Sequence, residues 1–182
     1  MKKTTVRRYR YVGPESLLKA HAGSPSTPIT TRDELQSAVD VLKMESGTDE
    51  LTATFIIDLL GCLRIAHRRT EHVRCAGGED VLSAGEIMFS SSSEEIIADW
   101  VTNQSTGYCP EPESWPVVEQ ALRRLGIGAA NGFSMEVVFR RCEACCQINI
   151  VKDAYFVCEV CDAELGRIGT RISAGACRTP WQ

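Results

Sequence analysis

The sequence predicts an α+β protein: an antiparallel β-meander of about five strands packed with helices, followed by a C-terminal zinc ribbon. Three observations predict this class. Apolar residues recur at helical spacing in two segments, 31–47 and 114–126. Between them, residues 51–103 divide into short apolar or alternating segments separated by glycines and serines, which is typical of antiparallel strands. Four cysteines near the end have the spacing of a metal-binding ribbon.

The size of the chain allows one main core with a small module attached. Its 182 residues are enough to bury roughly 70% of the unfolded surface. Apolar residues make up 43% and charged residues 24% of the sequence, as in ordinary globular proteins. We expect an α+β body with a basic N-terminal strand over residues 1–132, and a zinc-ribbon module with its tail over residues 133–182.

The N-terminal segment is basic, whereas the rest of the body is acidic. Residues 1–20 carry a net charge of +5 and residues 21–132 a net charge of −9. Neutralisation within the chain is the favoured interpretation, and a nucleic-acid-binding arm is the alternative. The alternating residues 6–12, VRRYRYV, predict a strand at the edge of a sheet. Pro14 then begins a short helix through Ala20.

No segment has the features of a secretory signal or a membrane span. The first residues, MKKTTVRRYRYVG, are basic but lack an apolar stretch, and no run approaches the roughly 20 apolar residues that cross a bilayer. A reducing cytoplasm is therefore the expected location. Clustered cysteines in that compartment are more often metal ligands or redox groups than structural disulfides.

Capping signals mark the two longer helices. Thr31 and Glu34 have the form of a capping box, and the helix behind them should end near Gly47. Ser114 is placed to cap the second helix, which Gly126 or Gly128 should end. The expected buried stripes are Leu35, Ala38, Val39 and Leu42 in the first helix and Val117, Val118, Ala121, Leu122 and Leu125 in the second.

The region between these helices should form the sheet, because its segments are rich in β-branched and aromatic residues. The expected strands are LTATFIIDL, LRIAHRR, EHVRCAGG, VLSAGEIMFS and EIIADWVTN. One face of such a sheet must be covered, and the flanking helices are the candidates. After the second helix, SMEVVFRR is a further strand that leads to the cysteines.

The segment CEACCQINIVKDAYFVCEVC contains five of the nine cysteines. Cys142 and Cys145, then Cys158 and Cys161, form two Cys-x2-Cys pairs separated by twelve residues, the pattern of a zinc ribbon with four thiolate ligands. Two residues between thiols let a tight turn point both sulfurs at one ion. We predict a structural Zn2+ at these four residues, because four thiolates leave no position for a catalytic water.

The residues between the two pairs, INIVKDAYFV, predict a hairpin with its tip at Lys152-Asp153. A redox dithiol and disulfides are the alternatives to the metal, but a redox Cys-x-x-Cys usually begins a helix in a βαβ unit. Cys146 directly follows the second ligand and is able to replace Cys145, although the spacing favours Cys145. The remaining cysteines are scattered and are expected to be small buried or incidental residues: Cys62, Cys75, Cys109 and Cys177.

Two histidines lie near a cysteine in AHRRTEHVRC. A second metal site at His67, His72 and Cys75 requires all three on one face, whereas strand residues at odd separations point to opposite faces. Acid–base catalysis by His72 is a further hypothesis. The carboxylates that can pair with it are Glu71, Asp58 and Glu86.

The loop NQSTGYCPEPESWP, residues 103–116, joins the last strand of the meander to the second helix. Ligand-binding loops tend to lie at the ends of sheets, but polar residues in loops also serve as turn and capping groups. Together with His72, the candidate ligand-binding residues are Asn103, Gln104, Ser105 and Tyr108.

A strand containing SAGE, a further strand, the loop STGYCP and a helix follow one another in residues 81–125. This order resembles a module of the plant IQ-motif calmodulin-binding proteins and of some bacterial effectors, which carry an SGHYRP-like segment before a helix. Gly107 and Cys109 stand here in place of that histidine and arginine. The chain is also similar to uncharacterised bacterial proteins ending in a four-cysteine zinc ribbon. These resemblances imply a fold and assign no activity.

Three functions are compatible with the sequence. We favour a non-catalytic zinc-ribbon binding or adaptor protein that presents a surface to a protein partner, since the metal site is closed and no nucleophile–base or phosphate-loop motif is found. One alternative is an enzyme that uses the loop 103–109 with His72 and a carboxylate. The other is a nucleic-acid-binding protein that uses the basic, aromatic N-terminus, against which a pI near 5.5 argues. No membrane partner is expected.

Overall fold

The computed structural model describes residues 7–46, 51–91, 96–128 and 130–167. Its helices are α1 (Glu15–His21), α2 (Arg32–Ser46), α3 (His72–Ala76) and α4 (Trp115–Arg124). Its strands are β1 (Leu51–Ile57), β2 (Leu63–His67), β3 (Ser83–Ser91), β4 (Ile96–Val101), β5 (Val138–Arg141) and β6 (Ile148–Val151). The first four strands form one antiparallel sheet and the last two form another, so the α+β class is confirmed. No helix within these ranges is long and apolar enough to span a membrane.

The four-stranded sheet has the order β2-β1-β3-β4. Phe55 in the middle of β1 pairs with Ile65 of β2 on one side and with Gly85 of β3 on the other. The predicted strand EHVRCAGG is wrong, because His72–Ala76 form α3. This helix packs on one face of the sheet and carries the chain past β2. As a result, β3 pairs with β1 instead of β2.

The main core fills the face of the sheet that α2 and α4 cover. The capping box of α2 is confirmed, since the Glu34 N–H donates to Thr31 Oγ1 over 3.2 Å and the Glu34 carboxylate accepts the Thr31 N–H over 3.1 Å. The helix stripes are buried largely as predicted. The side chains that meet in this core include Leu35, Val39, Phe55, Ile57, Ile87, Phe89, Val118, Ala121, Leu122 and Leu125.

The start of α4 differs from the prediction. Ser114 makes no capping hydrogen bond, because it lies in a 3-10 turn, Pro112–Ser114, and already has helical angles of φ −77° and ψ −8°. A capping residue needs an extended backbone to reach the following N–H groups. Its Oγ instead lies 2.9 Å from Ser83 Oγ in β3. The helix ends as predicted at Gly126, which takes φ +68°.

Residues 7–12 cover the opposite face of the sheet, together with α1 and α3. Tyr9 and Val81 exchange two backbone hydrogen bonds of 2.8 and 2.9 Å, so the predicted edge strand is reduced to an isolated bridge within the described ranges. The ring of Tyr11 lies 5.5 Å from that of Tyr108, at 64° to it. The N-terminal segment therefore contacts the loop that begins at residue 103.

Gly85 lets the end of β4 approach β3 closely. A Cβ atom on this residue would lie 1.9 Å from the Thr102 carbonyl oxygen and 3.1 Å from Asn103 Cα, so space alone excludes a side chain here. The carbonyl of Gly85 lies 2.9 Å from His72 Nε2. This position therefore places α3 and the start of the loop next to the same strand.

The two faces of the β5–β6 sheet have different neighbours. Arg140 pairs with Asn149, and Phe139 pairs with Ile150; cross-strand partners such as these share a face. Phe139 and Ile150 pack against Cys109 of the loop, whereas Asn149 contacts a cysteine sulfur on the other side. The β5–β6 sheet thus lies between the cysteine cluster and the loop 103–109. We use the name ribbon for residues 138–165, which comprise this sheet and the two cysteine pairs.

Candidate metal centre and the adjoining loop

The sulfur atoms of Cys142, Cys145, Cys158 and Cys161 lie within 4.8 Å of one another. The Cys142 and Cys161 sulfurs are 3.5 Å apart, as are those of Cys145 and Cys158. In a tetrahedral site with Zn–S bonds of about 2.3 Å, the sulfurs are about 3.8 Å apart. The four side chains therefore fit such an arrangement, and the cluster can hold a metal ion.

Each cysteine pair lies in a tight turn, and the two turns have the same hydrogen bonds. The N–H of the first cysteine donates to the carbonyl five residues later, over 2.8 Å at Cys142 and 2.9 Å at Cys158. The carbonyl of the first cysteine accepts from the N–H four residues later, over 2.9 Å and 3.0 Å respectively. The spacing of the sequence thus reflects two copies of one local structure.

A left-handed residue follows each pair. Cys146 and Asp162 have φ angles of 66° and 58°, a conformation that reverses the chain after the second cysteine of each pair. Of the neighbouring Cys145 and Cys146, it is Cys145 whose sulfur belongs to the cluster, as the two-residue spacing favours. The position after each pair is therefore used for backbone geometry.

Asn149 supports the cluster from β6. Its Nδ2 donates to the Gln147 carbonyl over 3.0 Å and lies 3.6 Å from Cys158 Sγ, while its Oδ1 accepts the Glu159 N–H over 3.0 Å. The residue is 3% exposed. One buried amide thus joins both turns and contacts a sulfur of the cluster. The sequence analysis missed it, although a single polar residue among the apolar positions of INIV is a visible signal.

The thiols of Cys158 and Cys161 have opposite pKa shifts. Burial raises the pKa of Cys158, but donors around the sulfur, led by the Val160 and Cys161 N–H groups, lower the pKa to about 6. A bond from the Ala163 N–H lowers the pKa of Cys161, but the neighbouring sulfurs raise it to about 12. The thiols therefore resist losing their protons together unless a cation lies among them.

The segment between the two cysteine pairs differs from the predicted hairpin in the strand with which it pairs and in the position of its turn. Within the described ranges β6 pairs with β5 across the first cysteine turn. Asp153 and Ala154, with φ of 51° and 54°, are the central residues of a turn closed by a 2.8 Å bond from the Tyr155 N–H to the Lys152 carbonyl. Two positive φ angles define a type I′ turn. The tip thus lies one residue later than predicted.

Buried polar contacts join the ribbon to the loop. Arg140 Nη1 lies 3.3 and 3.2 Å from the two carboxylate oxygens of Glu111, and the two side chains are 8% and 7% exposed. Asn103 Nδ2 donates to the Pro110 and Val137 carbonyls, and its Oδ1 accepts the Val137 N–H, each over 2.7 Å. These contacts cross the expected boundary at residue 132, which stays a prediction.

The other predicted ligand-binding residues have varied surroundings. Tyr108 is buried, and its hydroxyl donates to the Glu79 carbonyl over 2.8 Å. His72 is hydrogen-bonded to β3 as described above, and Gln104 is exposed. Ser105 is buried, and its Oγ has no hydrogen-bond partner among the described residues. The roles of these residues in ligand binding stay predictions. Three of the five side chains, those of His72, Asn103 and Tyr108, form hydrogen bonds with backbone groups.

Two of the four scattered cysteines are buried, in line with the expectation of inert thiols. Cys75 and Cys109 are buried, and burial raises their pKa values to about 11 and about 12. Such thiols are protonated at neutral pH and are weak nucleophiles. Cys62 is partly buried, and Cys177 lies outside the described residues.

The second metal site considered at His67, His72 and Cys75 is not formed. Among the residues that the structure describes, the one group placed to share an ion consists of the four ribbon cysteines. The separation follows from secondary structure, because His67 ends β2 whereas His72 begins α3.

No protein-family model matches the chain, and no curated protein or solved structure matches it either. The resemblance of residues 81–125 to the plant and bacterial module therefore stays a prediction.

Proposed function

We propose that the protein is a non-catalytic binding protein, in which a structural Zn2+ holds the ribbon and the ribbon presents a surface to a protein partner. Four thiolates are a donor set that suits zinc. A set of four protein ligands also leaves no coordination position for a catalytic water. The observation that carries the proposal is the exposure of Val160, which lies between the ligands Cys158 and Cys161 and is 66% exposed.

Metal binding would fix the exposed apolar side chains of the ribbon. Val160 is flanked by two ligands, and Tyr155, which is 69% exposed, follows the type I′ turn. Apolar and aromatic side chains on a rigid frame lose little conformational entropy on binding, and aromatic residues are enriched in protein interfaces. These two residues are therefore the proposed contacts with the partner.

The basic N-terminal segment supports a protein partner over nucleic acid. Arg7 lies 3.9 Å from a Glu111 oxygen, and Arg10 lies 3.6 Å from an Asp80 oxygen. Phosphate groups would compete with these carboxylates for the same guanidinium groups. The acidic body thus neutralises part of the segment on which nucleic-acid binding would depend.

The partner proposal is tested by quantitative affinity capture with the zinc-loaded chain. The double variant Tyr155→Ser, Val160→Ser should lose the proteins that the wild type enriches. Leu60→Ser is the matched control, since Leu60 is 82% exposed but lies in the turn between β1 and β2. Equal enrichment by the wild type and the double variant would contradict the proposal.

A further inference from the structure

A cavity of about 310 Å³ lies between the ribbon and the loop 103–109. Its apolar lining comes from Phe139, Ile148 and Ile150 of the ribbon sheet. Its polar lining residues are Thr106, Gln147, Lys152 and Glu159. The volume is near the lower end for ligand sites, which span roughly 300–1,000 Å³. A small molecule with an apolar part and a polar part matches this cavity in size and character.

Arg141 stands on the face of the ribbon that lines the cavity. Strand residues two apart share a face, so Arg141 projects on the side of Phe139, and its cross-strand partner is Ile148. The positive charge of Arg141 also acts on Cys109 in the loop. Burial raises the pKa of this thiol, and the guanidinium offsets part of that rise. Arg141 therefore lies on the same face of the sheet as the lining residues Phe139 and Ile148.

The guanidinium of Arg141 has unused hydrogen-bonding capacity. Its Nη1 donates to the Cys146 carbonyl over 3.4 Å, and its Nε is buried without a hydrogen-bond partner. No carboxylate of the described residues forms an ion pair with it. Arg141 as a whole is only partly buried, but its buried Nε lacks an acceptor, which a negatively charged ligand would supply.

Ser105, in the loop 103–109, has a second unpartnered group. Within the described ranges, its Oγ and Arg141 Nε are the buried side-chain atoms that lack hydrogen-bond partners. Ser105 directly precedes the cavity residue Thr106, and its carbonyl accepts the Cys109 N–H over 2.7 Å. Unsatisfied polar groups are rare in folded proteins and mark places where a ligand or water completes the structure.

We propose that this cavity binds a small organic oxyanion, namely a phosphate monoester or a carboxylate attached to a ring-sized apolar group. The oxyanion accepts hydrogen bonds from Arg141, because a guanidinium presents parallel N–H donors to such groups, and the ammonium group of Lys152 adds a second positive charge to the cavity lining. The ring packs against Phe139 and Ile150. Glu159 repels a second negative group and so favours ligands with one anionic end.

This site is separate from the metal and from the proposed partner surface. The cavity lies on the Phe139 and Ile150 face of the β5–β6 sheet, whereas Asn149 faces the cysteines. Because the proposed zinc holds the ribbon that lines the cavity, removal of zinc should also abolish oxyanion binding. A zinc-loaded chain that binds no oxyanion would contradict this proposal and leave the metal assignment standing.

The test is titration of the full zinc-loaded chain with phenyl phosphate and with benzoate, followed by calorimetry and by NMR. At least one of them should saturate a single site, while benzyl alcohol, which lacks the charge, and inorganic phosphate, which lacks the ring, should bind roughly tenfold more weakly or worse. Stronger binding of phenyl phosphate assigns a phosphate monoester, and stronger binding of benzoate assigns a carboxylate. No saturable binding of either compound at millimolar concentration would overturn the proposal.

Charge-removing variants locate the site. Arg141→Gln and Lys152→Gln should each weaken binding by roughly tenfold, whereas Arg123→Gln should not, since Arg123 is exposed on α4 and pairs with Glu119. Lys152 is exposed, so its variant should fold even if Arg141→Gln, next to the ligand Cys142, does not. Unchanged binding in Lys152→Gln together with unchanged binding in a folded Arg141→Gln would place the ligand elsewhere and refute the site.

Discussion

The side-chain amide nitrogen of Asn149 lies 3.6 Å from the sulfur of Cys158. The same side chain accepts a hydrogen bond from the Glu159 N–H, directly after that cysteine. Groups that hold a metal ligand in place and donate to it commonly set the affinity of a metal site. Asn149 therefore acts as a positioning residue for the cluster.

Asn149→Asp should weaken zinc binding by roughly 10–100-fold, the usual effect of losing such a supporting contact. The change preserves the shape and the acceptor but removes both N–H donors, and it places a negative charge beside a thiolate. Competition with a chromogenic chelator measures the affinity. Asn131→Asp, at an exposed position, adds the same charge elsewhere and should leave the affinity unchanged. Equal affinities in all three proteins would show that Asn149 has no influence on the metal.

Cys158→Ser should abolish stoichiometric zinc binding. Native mass spectrometry of the wild type should show one zinc per chain, which a strong chelator removes, because four thiolates bind zinc far more tightly than three. Cys62→Ser is the control, since Cys62 is only partly buried and lies outside the sulfur cluster. A wild-type protein that folds without any metal when zinc is supplied would refute the metal assignment.

Glu111→Gln should lower the free energy of unfolding by about 3 kcal/mol, because it leaves the buried Arg140 guanidinium without its counterion. Glu119→Gln removes a carboxylate from an ion pair whose arginine is 74% exposed, and it should cost less than about 1 kcal/mol. Chemical denaturation measures both values. Similar losses in the two variants would mean that the buried pair does not anchor the ribbon to the loop.

Gly85→Ala should prevent correct folding or lower the melting temperature strongly, since the added Cβ would lie 1.9 Å from the Thr102 carbonyl oxygen. Gly128→Ala is the matched control, because nothing lies within 4 Å of its Cβ position. Thermal unfolding of the two variants distinguishes them. A Gly85→Ala protein as stable as the wild type would disprove the close approach of β3 and the end of β4.

His72 should make the fold more sensitive to acid. Burial lowers its pKa, partly offset by the hydrogen bond to the Gly85 carbonyl and by Glu71. As the pH falls through about 6.5, the usual pKa of histidine, the unfolded chain binds a proton that the folded chain does not, so stability is lost. His72→Gln should remove this part of the pH dependence. Chemical denaturation of the wild type and the variant between pH 7 and pH 5 measures the effect. Both proteins contain the same metal centre, so the pH dependence of metal binding cancels when they are compared. A parallel pH profile for the two proteins would argue against a buried neutral His72.

Features that depend on near neighbours could be predicted from the sequence. The capping box of Thr31 and Glu34 and the two cysteine turns need residues within five positions of one another. Two of the features that failed, the cap at Ser114 and the strand at residues 71–78, depend on distant residues. Ser114 turns away from its helix to contact Ser83, 31 positions earlier. The predicted strand at residues 71–78 forms a helix because its apolar side chains are buried against one face of the sheet, together with Tyr108 from the loop.

The division of the β5–β6 sheet into a cysteine face and a loop face limits where the chain can change length. Because successive strand residues alternate between faces, one residue inserted within β6 would turn the amide of Asn149 toward the loop and an isoleucine toward the sulfurs. The type I′ turn between Lys152 and Tyr155 lies outside both strands. Insertions there leave the alternation of β6 intact, so this turn tolerates a change of length that β6 does not, although an insertion lies next to Lys152 and Tyr155 and should disturb the contacts proposed for them.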